Sequence, residues 1–143
     1  MSEGDLKTFA LFGDLGDGER EELGALLEER DLSTGETLFE QGDEADALIL
    51  VLRGRVELAN RRSGEKVTVG PGDTIGVLAL FAVGSRETSA VAAEASDLRL
   101  LRREDFLRFA EDHPRPAFRI AAAVAAEVAQ HARAALAGDA SVG

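Results

Sequence analysis

At 143 residues the chain is long enough for one domain with a substantial core and short for two ordinary ones. Lys and Arg number 16 against 27 Asp and Glu, and the resulting net charge of −11 repels a phosphate backbone, so direct nucleic-acid binding is not expected. With no Cys there is no disulfide, thiolate metal site or cysteine nucleophile, and two distant His give a haem or metal cofactor no support. The first residues carry neither a basic start nor a sustained apolar stretch, which excludes a signal peptide or membrane span there and makes a cytoplasmic protein the default expectation.

In chain order, residues 19–30 place Leu23, Leu26 and Leu27 at helical spacing behind an acidic first turn, which predicts an N-terminal helix. From residue 34 to 103 the pattern changes to brief runs rich in Val, Leu and Thr, at 37–39, 47–52, 55–59, 66–69, 88–93 and 98–101. Turn residues separate them at Gly35, Gly42, Gly54, Gly64, Gly72 and Gly84. Strands of this length and spacing predict a mainly β protein with flanking helices, its strands in an antiparallel roll or sandwich. Residues 105–112 read as a helix through Phe106, Leu107 and Phe109, and Pro114 and Pro116 interrupt it. An Ala-rich helix then covers 117–137. Its Phe118, Ala121, Ala125, Val128, Ala132 and Ala135 alternate three and four apart, the spacing a close-packed helix pair uses. The tail, 138–143, is expected to fray. With no internal repeat and no long linker, residues 1–143 read as one domain.

The turn signals are Gly35-Glu36-Thr37-Leu38-Phe39, Gln41-Gly42-Asp43, the run from Ala47 to Glu57, and Gly70-Pro71-Gly72-Asp73. With the order helix, β-roll, short helix, long helix, they resemble the cyclic-nucleotide-binding domain family over about residues 11–136. The resemblance implies an antiparallel, double-stranded jelly-roll-like β-roll with an N-terminal helix and a long C-terminal helix. It also implies a phosphate-binding cassette between two strands, usually Phe-Gly-Glu, an aliphatic residue, Ala-Leu, a turn, and Arg followed by a small residue. Here the cassette reads Ile75-Gly76-Val77-Leu78-Ala79-Leu80-Phe81, then Arg86-Glu87-Thr88.

By that resemblance, amides near Val77 and Leu78, the close approach allowed by Gly76, and the fork of Arg86 would hold a cyclic phosphate. The acid that accepts the ribose hydroxyl is replaced by Val77, which accepts nothing. A lost hydrogen bond to a charged group costs about 1.5–3 kcal/mol, or roughly 10- to 100-fold in affinity. Glu87 stands where a small residue is usual and would repel the phosphate; one expectation is that it folds back onto Arg86 and fills the phosphate position. In the family the long helix pairs across a two-fold axis and contributes to the base, which points to Glu127, Gln130 and His131 and to homodimerisation.

Each feature also has a plainer reading: Arg86 as a solvated strand-end arginine, Val77 as core, Gly76 as a turn glycine, and Glu127, Gln130 and His131 as a solvated face. His113, before Pro114, reads as a helix-end residue. The leading expectation is a non-catalytic regulatory or sensor module that binds cyclic AMP weakly or not at all, with no cofactor. The initiating Met and polar tail suggest a complete short protein without a helix-turn-helix, so its output would pass through a protein partner or dimer rearrangement. The alternative is an interaction or dimerisation scaffold with a self-occupied pocket. A metal-binding cupin-type roll is disfavoured, because no His lies between residues 34 and 103.

Overall fold

A computed structural model describes residues 6–142, with side chains to Leu136; where the sequence suggested a frayed tail from 138, the backbone continues as helix to Val142, and residue 143 lies outside the described residues. Among the described residues, ten antiparallel strands follow a short 3-10 turn at Ala10–Phe12 and helix α1, Asp17–Ala25. The larger ones are β1 (Glu28–Leu32), β2 (Thr37–Phe39), β4 (Ala47–Arg53), β5 (Val56–Ala59), β6 (Lys66–Val69), β9 (Ser89–Ala92) and β10 (Ser96–Arg102). Two-residue strands β3 (Glu44–Ala45), β7 (Thr74–Ile75) and β8 (Gly84–Ser85) complete the set. Helix α2, Arg103–Asp112, and helix α3, Pro114–Val142, close the chain.

One sheet has the order β1-β10-β4-β7 and the other β2-β9-β5-β6, with β3 and β8 paired separately. This is the double-stranded roll the resemblance implied. The long apolar run of β4 is buried on both faces, which is why it shows no polar alternation. Ala47, Ile49 and Val51 point into the space between the sheets with Val56, Ala90, Ala92, Leu98 and Leu100. Leu48 and Leu50 point the other way, against a layer of helices supplying Phe12, Leu23, Phe106, Phe109, Ile120 and Val124. The alternation along β4 therefore joins two cores through one strand.

Several boundaries differ from the sequence reading. The N-terminal helix, expected over 19–30, spans Asp17–Ala25, and Glu28–Leu32 is strand β1, paired with β10 from Glu28↔Leu100 to Leu32↔Ser96. Backbone pairing and the Arg102–Glu28 and Arg99–Glu29 ion pairs override the helical tendency of a Glu-rich segment. The roll thus begins at residue 28 rather than 34. Helix α2 begins at Arg103 rather than 105. The long helix begins at Pro114, whose missing amide donor costs nothing in a first turn, and runs on past residue 137. The break falls at His113, which caps α2 through its amide to the Phe109 carbonyl.

The hinge between α2 and α3 is tied to α1. His113 meets Glu22 through Nε2, and Arg119 approaches Glu19 at 3.6 Å. No helix among the described residues is long and apolar enough to cross a membrane.

Candidate functional site

After β7 the chain turns through Gly76, at φ +75°, into a single 3-10 turn, Val77–Leu80. A Cβ built on Gly76 would lie 2.4 Å from Nη1 of Arg86, so the left-handed backbone favours glycine here and any larger residue would have to displace the end of the arginine. Arg86 continues the β3–β8 pairing: its amide donates to Asp43 O at 2.7 Å and its carbonyl accepts from Gly42 N at 2.9 Å.

Its side chain turns inward, 8% exposed. Nη2 donates to the Ala47 carbonyl at 2.8 Å, and the guanidinium sits 4.5 Å from the centroid of the Phe39 ring. Burial lowers its pKa from the ordinary value, opposed by the nearby charges of Asp46 and Asp43. Arg86 is thus a desolvated cation held in place by a carbonyl and an aromatic face, with a carboxylate field around it but no carboxylate bonded to it among the described residues. The plain reading of a solvated strand-end arginine does not fit.

Arg86 lines a cleft of about 650 Å³ with Gly76, Val77, Leu78 and Glu87; from α3, Glu127, Val128 and His131 reach the same cleft. Seven of the eight residues singled out by sequence therefore come together. Gln130 does not: it is exposed and absent from the lining. The reason is helical phase. Ala117, Ile120 and Val124 form the buried stripe of α3, and three- and four-residue steps continue it through Glu127 and His131, whereas Gln130 lies on another face.

Glu87 does not fold back onto Arg86. Arg86 is buried, while Glu87, in the bend after β8, is exposed and lines the same cleft without pairing with Arg86. Val77 is half-buried and packs against the helix-side core, while Leu78 and Val83, which also line the cleft, are 54% and 79% exposed.

Sequence reasoning missed Arg103. Its Nη1 donates to Ala79 O at 2.9 Å and to Ala82 O and Ala45 O at 3.0 Å, fastening the end of the 3-10 turn to the start of α2. The only sequence signal was an Arg pair at a strand-to-helix junction. Phe81 stacks edge-on against Phe106 at 5.3 Å and strengthens the same joint.

The site is thus a β-roll with a buried arginine under a glycine-led turn, with the stripe of a long helix along the same cleft. A sequence profile of the cyclic nucleotide-binding domain matches residues 29–113, and the chain belongs to that family. It is 38% identical over 95 residues to the cyclic AMP receptor protein of Thermus thermophilus, covering 64% of this chain and 44% of that one. Over 92 residues it is 33% identical to the lysophospholipase nte1 of Aspergillus oryzae, covering 62% of this chain and 6% of that one. The chain thus spans less than half the length of either relative. The solved N-terminal domain of a transcriptional regulator from Streptomyces coelicolor superposes with a TM-score of 0.81 at 32% identity, covering 91% of this chain and 94% of that one.

Proposed function

We propose that this chain is a non-catalytic regulatory module whose cleft takes a cyclic nucleotide weakly, through its phosphate. The observation that carries this reading is the buried guanidinium of Arg86, bonded to no carboxylate among the described residues, beside the bare backbone of Gly76, followed directly by Val77 in place of an acid. The cation supplies the phosphate half of a site. The sugar half lacks its acceptor.

Two copies associate through α3. Support comes from its apolar seam, where Phe118 is 73% exposed, Val128 38% and Leu136 69%, with Ala125 and Ala132 exposed between them. The signal then passes by rearrangement of that pair or to a protein partner.

The test is calorimetric titration of wild type and Val77→Glu with cyclic AMP and cyclic GMP. The expected result is weak heat from wild type and binding about 10- to 100-fold tighter in Val77→Glu. Wild-type affinity equal to that of the variant overturns the account of Val77. No heat from either protein overturns the ligand reading and leaves the scaffold alternative.

A further inference from the structure

We infer that Glu87 makes the cleft selective for phosphodiester monoanions, so that it takes cyclic nucleotides and turns away 5′-phosphomonoesters such as AMP. The inference rests on the cyclic-phosphate reading above and adds to it a specificity-determining residue.

The two phosphate classes differ in charge. A cyclic nucleotide is a phosphodiester with one ionisable oxygen and carries a single negative charge. A 5′-monoester ionises a second time with a pKa of about 6 and carries about −1.5 to −2 near neutral pH. Among the described residues that line the cleft, Arg86 is the only Lys or Arg, and its positive charge already sits in the field of Asp43 and Asp46. It matches one anionic charge and leaves a second without a partner.

Glu87 and Glu127 face the same cleft, the first from the bend after β8 and the second from α3; His131, also on α3, is the remaining titratable group of the lining. Glu87 is the carboxylate set beside a phosphate held by Arg86. It follows Arg86 directly in the chain, with Cα atoms about 3.8 Å apart, whereas Glu127 comes from a different element. The Glu87 carboxylate is exposed and paired with no cation among the described residues, so nothing cancels its charge. Arg62 lines an adjoining groove that shares Ser85, Arg86 and Glu87 with the cleft, but it is exposed and water screens it. Repulsion by Glu87 acts on every anion, and a dianion meets it twice over with the same single guanidinium to bond. In a cleft open to water that difference amounts to about three- to tenfold in affinity.

The experiment titrates wild type, Glu87→Gln and Glu127→Gln with cyclic AMP and with 5′-AMP by calorimetry, at about pH 7.5 and at about pH 5, either side of the second phosphate ionisation. Wild type is expected to prefer cyclic AMP at the higher pH. Glu87→Gln is expected to tighten 5′-AMP more than cyclic AMP and to narrow the preference about three- to tenfold. Glu127→Gln narrows it less. At the lower pH the monoester has taken up a proton and carries the same single charge as the diester, so the wild-type preference narrows without any mutation and Glu87→Gln ceases to alter it. Protonation of His131 over the same range acts on both monoanions alike. Because the comparison of the two pH values uses wild type alone, it stands even where a variant fails to fold. The inference is overturned, with the cyclic-phosphate reading intact, by a preference that Glu87→Gln leaves unchanged, that Glu127→Gln narrows as much, or that wild type keeps at both pH values. Binding of cyclic AMP with no detectable 5′-AMP in either wild type or Glu87→Gln overturns it in the same way. Binding of neither nucleotide by any of the three proteins overturns the cyclic-phosphate reading itself, and the inference with it.

Discussion

Arg86 and Gly76 form one structural unit, and its energetics can be separated from ligand binding. The guanidinium donates to a buried carbonyl and lies over Phe39, contributions offset in part by its own desolvation. Arg86→Ala is therefore expected to lower the unfolding free energy without ligand by about 1–2 kcal/mol, measured by urea denaturation. Gly76→Ala combines left-handed backbone strain with displacement of Arg86 and is expected to cost about 2–3 kcal/mol. In the Arg86→Ala background the displacement disappears, so the two losses should fall short of additivity by at least about 0.5 kcal/mol. Strict additivity would show that the 2.4 Å approach carries no energetic weight. Glu87→Ala, on the exposed face, should change stability by less than about 0.5 kcal/mol. At this scale the order of Gly76, Val77 and Arg86 in the cassette was enough to expect them together, and all three line one cleft. The sequence had no means to show Arg86 bound to Ala47, a contact 39 residues away that depends on how β4 passes behind the cassette.

Strand β1 is the element that sequence periodicity misassigned; it is held by backbone pairing to β10, with ion pairs along its exposed side. Its five residues, Glu28 to Leu32, include four charged ones, poor strand formers, and only Leu32 is buried. Pairing to β10 sets Glu28 opposite Leu100, within reach of the Arg102 side chain, which also meets Asp46 at 2.8 Å. The hydrogen bond from Arg102 lowers the Glu28 pKa below its ordinary 4.5, outweighing desolvation. A depressed carboxylate contributes stability that is present above 4.5 and lost as pH falls through the lower folded-state value. The unfolding midpoint of wild type should thus drop more steeply than that of Glu28→Gln as pH falls below about 4.5, the two curves converging in acid. Parallel curves would remove the pair from the account of β1. The difference is small, because both partners are partly solvated. The β4 run and the glycine turns were legible because burial on both faces and positive φ leave marks in local composition. A charged edge strand leaves none.

For the whole molecule, association and charge oppose each other. The proposed seam on α3 presents Phe118, Ala125, Val128, Ala132 and Leu136 to solvent, on a face distinct from the stripe that packs Ile120 and Val124 into the core. A helix cannot hide both faces against its own roll, and an exposed apolar ridge of this length is what a second copy would cover. Yet each copy carries a charge of −11, and bringing two together is resisted over a distance set by screening. The screening length shrinks from about 30 Å at 0.01 M salt to about 8 Å at 0.15 M, so the repulsion should fade where the apolar contact does not. Sedimentation equilibrium is therefore expected to show a dimer that tightens as salt rises, opposite to an assembly held by ion pairs. Ala132→Glu, exposed and outside the cleft lining, sets two carboxylates facing each other in the seam and should give a monomer at every salt concentration. A dimer that weakens with salt, or that survives Ala132→Glu, would place the interface elsewhere on the roll. Because Val128 belongs both to the seam and to the cleft lining, a dimer through α3 also brings the partner helix to the mouth of the Arg86 cleft, so ligand affinity and association should rise together.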